Sequence, residues 1–383
     1  MRPSIVRFSK TYFSNFVRLS LLLIATGVFV LGWPQSGLSQ TSPLTIKKRP
    51  ADQRPVPGAR PPARPAPNKQ APKKARAKQG TGPRTNGDEP EMPAPENVVL
   101  ATSDGVKLTV TYFGPPATDG GEAKAIPFIL LHEWEGDRSQ LLQYGAFLQQ
   151  AGHAAIVPDL RGHGESTAVE GLKKEIDATK FRKNEIGSVQ KDIERCKKYL
   201  VQRNNEGEVN IDMLTVVAVG GTSVLAVEWV INDWFAFPPI NANGIKQGQD
   251  VKSLILVSPR KKLKGISLAA DWKHPLYTGA KGSALPLMII WAAGDEEAAK
   301  DSESLMKLVE KSRPDPKEIE DEEKREKATT LYGVPLRSSR LTGAQIMGSP
   351  AVKGLWAYTA KFVDSKVAAH KDSLPWKSRK KEQ

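Results

Sequence analysis

Residues 126–167 read IPFILLHEWEGDRSQLLQYGAFLQQAGHAAIVPDLRGHGEST, and their pattern decides the fold class. Two short apolar runs, Pro127 to Leu131 and Ala154 to Val157, flank a segment with apolar residues at helical spacing. The pattern predicts strand, helix and strand, followed by a glycine-rich turn. Because a parallel strand pair crossed by a helix needs cover on both faces, this unit predicts a larger α/β domain around it.

Both predicted strands end in a characteristic sequence. Leu130 to Trp134, LLHEW, closes the first strand, and Asp159 to Ser166, DLRGHGES, follows the second. Together they resemble the α/β-hydrolase superfamily, and the resemblance extends over residues 97–369. It implies an α/β-hydrolase-like, mostly parallel, doubly wound sheet. The oxyanion-loop residues that it implies are His132, Glu133, Trp134 and Gly221.

The remainder of residues 98–370 fits one domain of this class. A strand-turn-strand signal around Ser103-Asp104-Gly105 predicts two antiparallel strands at its start. The stretch from Ser258 to Leu285 is long enough only for a short cap, so we expect no large lid, and the charged run 315–327 should be a solvated loop or helix end. Further strands are expected at 214–219, 251–257, 286–291 and 329–332, and helices at 183–202, 222–233, 297–309 and 351–370.

The net charge of +14 is concentrated ahead of this domain. Residues 1–40 carry a balance of +4 and residues 41–86 a balance of +11, which leaves −1 for residues 87–383. The folded part is therefore expected to be nearly neutral.

The N-terminal residues have the pattern of an export signal. Residues 1–39 combine a basic beginning, an apolar run from Leu19 to Trp33 and a Gly37-Leu38-Ser39 site, which predicts a secretory signal peptide cleaved after Ser39. The alternative is an uncleaved membrane anchor. Both alternatives place the domain in the periplasm or cell envelope, and the second retains it at the membrane.

Residues 40–97 form a Pro/Ala/Lys/Arg-rich segment that is expected to be a disordered linker, because it holds too little apolar surface to offset chain entropy. Its positive charge between 41 and 86 suits an anionic envelope polymer or lipid. Stacking aromatics are not interleaved there, so sequence-specific nucleic-acid binding is not expected. Residues 371–383 are expected to form a basic C-terminal tail.

An active member of the superfamily carries its nucleophile on a strained turn between strand and helix, flanked by small residues. Residues 214–229, LTVVAVGGTSVLAVEW, allow three registers for this turn. Steric fit ranks Gly220 first at the nucleophile position. Ser223 comes second because it would place Leu225 in a tight site, and Thr222 comes third because it would place a β-branched residue there.

The sequence offers Asp295 as a candidate acid of a triad and no histidine at the position of its base. Asp295 follows a predicted strand where the superfamily has its orienting carboxylate, and it could equally cap the next helix. Thr342 falls closest to the place of the catalytic histidine, and a threonine cannot accept a proton near neutral pH. His370 lies too far along the chain to be expected at the site.

The oxyanion loop also departs from an active pattern. Glu133 stands where many members of the superfamily have glycine, and Glu135 is near, so a carboxylate facing the site would oppose a developing oxyanion. We expect His132 and His163 to hold loops rather than to act as bases. The single cysteine, Cys196, is in register with apolar residues and is expected in the core. Metal-ligand spacing and phosphate-binding glycine motifs are missing, so no cofactor is expected.

These features predict an exported α/β-hydrolase-fold protein without a working triad, which binds an unspecified small molecule or polymer or acts as a scaffold in the cell envelope. One alternative is an active serine hydrolase of esterase or peptidase type that uses Ser223 with Asp295. Another is an envelope-tethering protein that acts through its basic arm, residues 41–86.

Overall fold

One eight-stranded sheet organises the computed structural model, which describes residues 92–116, 125–237, 239–242, 244–268, 270–279, 284–313, 315–349 and 352–380. The predicted signal peptide and nearly all of the predicted linker lie outside these residues. The sheet order is β1-β2-β4-β3-β5-β6-β9-β10. Its strands are β1 (Glu96–Ala101), β2 (Lys107–Phe113), β3 (Pro127–Leu131), β4 (Ala154–Pro158), β5 (Leu214–Val219), β6 (Val251–Val257), β9 (Leu287–Ala292) and β10 (Leu331–Leu336).

The first two strands are antiparallel, and the other six run parallel. β2 pairs antiparallel with both β1 and β4. From β4 to β10 every neighbouring pair is parallel. The carboxyl ends of β3, β5, β6, β9 and β10 therefore meet at one edge of the sheet, which we call the upper edge. The predicted fold class, a mostly parallel doubly wound sheet, is confirmed.

Helices cover both faces of the sheet, as alternation along a buried strand requires. Within β5, Val216 and Ala218 belong to one apolar core, and Val217 and Val219 belong to the other. The helices are α1 (Leu142–Gln150), α2 (Lys183–Gly187), α3 (Gln190–Asn205), α4 (Thr222–Trp234), α5 (Pro275–Thr278), α6 (Glu296–Glu310), α7 (Glu322–Ala328), α8 (Gln345–Gly348) and α9 (Lys353–Lys366). Cys196 is fully buried in the first core, as predicted.

Several boundaries differ from the prediction. The helix expected at 183–202 is two helices, and the charged run 315–327 contains α7. The last strand ends at Leu336, four residues beyond the end predicted at residue 332. Pro335 is tolerated because β10 is an edge strand, so its missing N–H removes no bond to a further strand. Between Ser258 and Leu285 the described elements are the hairpin β7 (Lys262–Leu263) and β8 (Ile266–Ser267), one 3₁₀ turn and α5, so the short cap is confirmed.

The DLRGHGES segment is a rigid turn built around Asp159. This fully buried carboxylate accepts the backbone N–H groups of Arg138 (2.7 Å) and Glu165 (2.9 Å) and pairs with the Arg138 guanidinium. Gly164 has a φ of +48°, and a Cβ there would collide with the Asp159 carboxylate. The glycine is therefore required by this turn, and the motif fixes the loop that follows β3 against the loop that follows β4.

The C-terminal residues are packed against the domain, although a basic tail was expected from residue 371. The backbone carbonyls of Leu374 and Lys377 accept bonds from the side chains of Asn210 (2.7 Å) and Asn204 (2.9 Å). Residues 374–379, which we call the C-terminal strap, thus extend the folded domain past residue 370 along the lower edge of the sheet. Within the described residues, no helix has both the length and the apolar character needed to cross a bilayer.

Candidate functional site

The sharp turn at the upper end of β5 is formed by Gly220. Its φ of +58° is the left-handed conformation that an L-residue rarely adopts, and its N–H donates to the carbonyl of Val257 at 2.9 Å. α4 begins two residues later, at Thr222. The structure thus places Gly220, the first-ranked residue of the three registers, at the strained position between strand and helix.

The Glu133 side chain occupies the space above this turn. A Cβ built on Gly220 would lie 2.7 Å from Oε1 of Glu133, and a Cβ on Gly343 would lie closer still to Oε2. Oε2 accepts the N–H of Ala344 at 3.1 Å, and the N–H of Glu133 itself donates to Oε1 of Gln140 at 3.1 Å. A half-buried carboxylate therefore lies between the β5 turn and the loop after β10, where an active hydrolase would hold its nucleophile and histidine.

Neither hydroxyl on α4 is placed as an activated nucleophile. Thr222 Oγ1 lies 2.7 Å from the carbonyl of Val219 and 2.9 Å from that of His132, so its proton points to backbone oxygens. Ser223 is fully buried on the second residue of the helix, and its Oγ has no hydrogen-bond partner among the described residues. Ser223 thus lacks the adjacent base that a catalytic serine needs.

Asp295 lies at the upper end of β9 and caps α6. Its Oδ1 accepts the N–H of Ala298 at 3.0 Å, and its Oδ2 pairs with Nη2 of Arg260 at 3.2 Å. These contacts are those of a helix-capping residue, which is one of the two roles predicted for Asp295. A triad acid would instead hold an imidazole N–H, and the recorded partners of the Asp295 carboxylate are a backbone amide and a guanidinium.

Thr342 contacts the first residue of α8. Its side chain is exposed and, with its backbone N–H, contacts Oε1 of Gln345. The next two residues, Gly343 and Ala344, are the ones whose backbone faces the Glu133 carboxylate. Gly343 has a φ of +47°, which allows the chain to turn there. The residues that follow Thr342 therefore contribute one backbone donor, the Ala344 N–H, and no side-chain base.

The two histidines near the turn hold loops with both ring nitrogens. His132 donates from Nδ1 to the carbonyl of Glu133 (2.8 Å) and accepts the Leu160 N–H at Nε2 (3.0 Å). His163 similarly donates to the Arg161 carbonyl and accepts the Glu135 N–H. Complete burial lowers the pKa of His132 to about 4, and burial also lowers the pKa of His163. Both rings are neutral at pH 7 and have no nitrogen free to accept a proton from a hydroxyl.

The pKa of His132 makes stability depend on pH. The unfolded chain binds a proton at His132 below about pH 6.5, whereas the folded protein does not until about pH 4, so stability falls as the pH is lowered through that window. The expected loss is about 3 kcal/mol between pH 7 and pH 4. Urea unfolding of wild type and His132→Asn at both values measures it. An unchanged pH slope in the variant would contradict this assignment.

The small hairpin β7–β8 covers the turn from above. A Cβ on Gly221 would lie 3.0 Å from Leu263 and 3.4 Å from Trp134, so these side chains close over the helix start. Lys264 donates to the carbonyls of Ala178 and Thr179, which fastens the hairpin to the neighbouring loop. The structure thus places His132, Glu133 and Trp134 beside the Gly220–Gly221 turn, with Leu263 of the hairpin against Gly221.

The strand order, the crossovers and the left-handed glycine turn together define the architecture. The chain has an α/β-hydrolase fold. No family model and no curated protein matches the sequence.

Similar solved structures include an esterase of Pyrococcus furiosus, with 14% identity, coverage of 74% of this chain and 97% of that chain, and a TM-score of 0.45. A dienelactone hydrolase from Anabaena variabilis has 12% identity, with 72% and 100% coverage and a TM-score of 0.46. An acylaminoacyl peptidase of Pyrococcus horikoshii has 13% identity and a TM-score of 0.47, and the match spans 72% of this chain and 42% of that longer one. At these identities the similarity concerns the fold and not an activity.

Proposed function

We propose that this protein is an exported, non-catalytic α/β-hydrolase-fold protein that serves as a binding or scaffolding module of the cell envelope. The observation that carries the proposal is the Glu133 carboxylate, which lies above Gly220 and is held by the Ala344 N–H. A glycine at the strained turn offers no nucleophile, and a carboxylate beside it disfavours negative charge on a substrate oxygen.

The hydroxyl groups near the turn support the same proposal. Acyl transfer by a serine requires a base within hydrogen-bond reach, and the nearby histidines His132 and His163 are neutral with both nitrogens engaged. The Glu133 carboxylate accepts from a backbone amide. Hydrolysis by Ser223 is the alternative function, and the ester-turnover experiment described below distinguishes it from a non-catalytic role.

Export and envelope retention rest on the sequence of residues 1–86. The apolar run from Leu19 to Trp33 and the +11 balance of residues 41–86 suit translocation followed by contact with anionic envelope material. Deleting residues 41–86 is the matched test of tethering through the arm, because it leaves the hydrolase-fold domain intact.

The non-catalytic role is tested by turnover of a short-chain p-nitrophenyl ester. We expect the purified protein to release p-nitrophenol no faster than Ser223→Ala, because neither has an activated nucleophile. Ser258→Ala is the control, since Ser258 is also buried with no recorded partner for its Oγ among the described residues. Turnover that is lost in Ser223→Ala and kept in Ser258→Ala would establish the serine hydrolase instead.

A further inference from the structure

Three large apolar side chains are exposed within six residues of the segment between α4 and β6. Phe235 is 54% exposed, Phe237 92% and Ile240 58%. In the described part of the chain, only Met92, Val99, Leu172 and Leu308 are other large apolar side chains with such exposure. A concentration of this kind marks an interaction surface, whereas single exposed apolar residues are ordinary.

The segment that presents these side chains is ordered by its own hydrogen bonds. Ile240 pairs antiparallel with Lys246, and Gln247 donates to the carbonyl of Pro239 at 2.9 Å. Asn241 accepts the N–H of Gly244 at its carbonyl and that of Ile245 at its side chain. We call residues 235–247 the apolar hairpin. Because the backbone around Ile240 is already paired, presenting that side chain to a partner costs little ordering entropy.

The apolar hairpin lies at the lower edge of the sheet, where the chain enters and leaves the domain. β6 starts directly after it at Val251, and β1 starts at Glu96, which pairs with Tyr112 at the lower end of β2. The C-terminal strap follows the same edge, since Arg379 donates to the carbonyl of Lys246 at 2.8 Å. The apolar hairpin, the start of β1 and the C-terminal strap therefore all lie at the lower edge of the sheet.

Several exposed lysines lie around the apolar hairpin, and Asp271 beside His274 is a partly exposed carboxylate near them. Residues 235–247 contain no Asp or Glu. Exposed lysines flank it at Lys273, next to the His274 ring that packs on Phe235, at Lys377 of the strap, and at Lys380 directly after the strap. The carboxylates beneath it are buried among their own cationic partners. The acidic helix α7 is held beside α9, because Lys366 donates to the carbonyl of Glu326.

We infer that the apolar hairpin docks this protein on an anionic lipid bilayer, with Phe235, Phe237 and Ile240 entering the interface and the flanking lysines contacting headgroup phosphates. An aromatic tip without carboxylates, bordered by lysines, is the pattern of an interfacial membrane contact. A protein partner with a basic or polar surface would not complement an apolar tip that is bordered by lysines. This inference does not rest on the loss of catalysis, because the upper edge of the sheet takes no part in it.

The test uses the full chain and vesicles of phosphatidylcholine, with or without phosphatidylglycerol, at physiological salt, and a variant lacking residues 41–86 measured beside it separates the attraction through the basic arm. We expect binding to the vesicles with phosphatidylglycerol and a loss of roughly tenfold or more in the double variant Phe237→Ser/Ile240→Ser. Leu172→Ser, which changes an equally exposed apolar residue on another loop, is the control and should bind like wild type.

A second measurement follows the hairpin itself. A polarity-sensitive dye on Phe237→Cys should shift to the blue when vesicles are added, while the same dye on Leu172→Cys should not. The native Cys196 does not interfere, because it is buried and burial raises the pKa of its thiol. Three outcomes would overturn the inference: no vesicle binding by wild type, binding without a dye shift at position 237, or self-association of wild type that the serine variant abolishes.

Discussion

Arg379→Ala should lower the free energy of unfolding by about 3 kcal/mol, because it leaves a buried charge cluster with one carboxylate more than it has cations. The Arg379 side chain is 6% exposed, and its guanidinium contacts Asp250 at 2.6 Å and Asp212 at 3.1 Å. Three cations and three carboxylates form the surrounding cluster, so the native arrangement is balanced and the variant has one excess negative charge. The members are Lys197, Asp212, Asp233, Lys246, Asp250 and Arg379.

The matched control is Lys380→Ala, which removes a neighbouring exposed charge and should change stability by less than about 0.5 kcal/mol. Urea unfolding followed by circular dichroism measures both variants. We give Arg379 the lower end of the range for broken buried pairs because Lys246 still contacts both Asp212 and Asp250 in the variant. If Arg379→Ala is as stable as Lys380→Ala, the strap is not a structural part of the domain.

Gly248→Ala should destabilise the protein by about 3 kcal/mol or more, through backbone strain together with overpacking. Gly248 has a φ of +104°, a conformation that favours glycine alone. A Cβ there would overlap the backbone carbonyl oxygen of Asp233, which accepts the N–H of Gln249 at 2.8 Å. Relief would require movement of the last turn of α4, because the obstacle is main chain.

Gly244→Ala is the control for this position, since it lies in the same segment and has a φ of +75° with no atom within 4 Å of an added Cβ. It should cost only the conformational strain, about 1 kcal/mol. The difference between the two variants, measured by thermal or urea unfolding, isolates the collision with Asp233. Equal losses would show that the chain relaxes around Gly248.

Much of the fold could be predicted from local patterns, and the residues explain why. The apolar runs, and their alternation with helical segments, predicted most strands of the sheet, because buried parallel strands need continuous apolar sequence. The predicted end of β10 at residue 332 was wrong. A strand can run through Pro335 because β10 lies at the edge of the sheet, and that position is known only from the tertiary structure. The docking of residues 374–379 was missed because it depends on Asn204, Asn210 and Asp250, which lie far away in sequence.

The candidate site was predictable in part. Steric rules for a tight turn ranked Gly220 first without any knowledge of its neighbours. The sequence shows a glutamate, Glu133, in the oxyanion loop. Its position between Gly220 and Gly343 does not follow from the sequence, because that position depends on the path of the loop after β10. Gly343 itself carried one signal that was overlooked, a glycine directly after the position expected for the catalytic histidine.

The mass of the intact protein after exposure to a fluorophosphonate probe tests the central claim most directly, since the probe reports an activated hydroxyl irrespective of substrate. A protein whose β5 turn carries Gly220 beneath Glu133 should keep its unmodified mass, as Ser223→Ala does. Stoichiometric phosphonylation of Ser223 in the wild type, absent from the variant, would contradict this account and identify a working serine hydrolase.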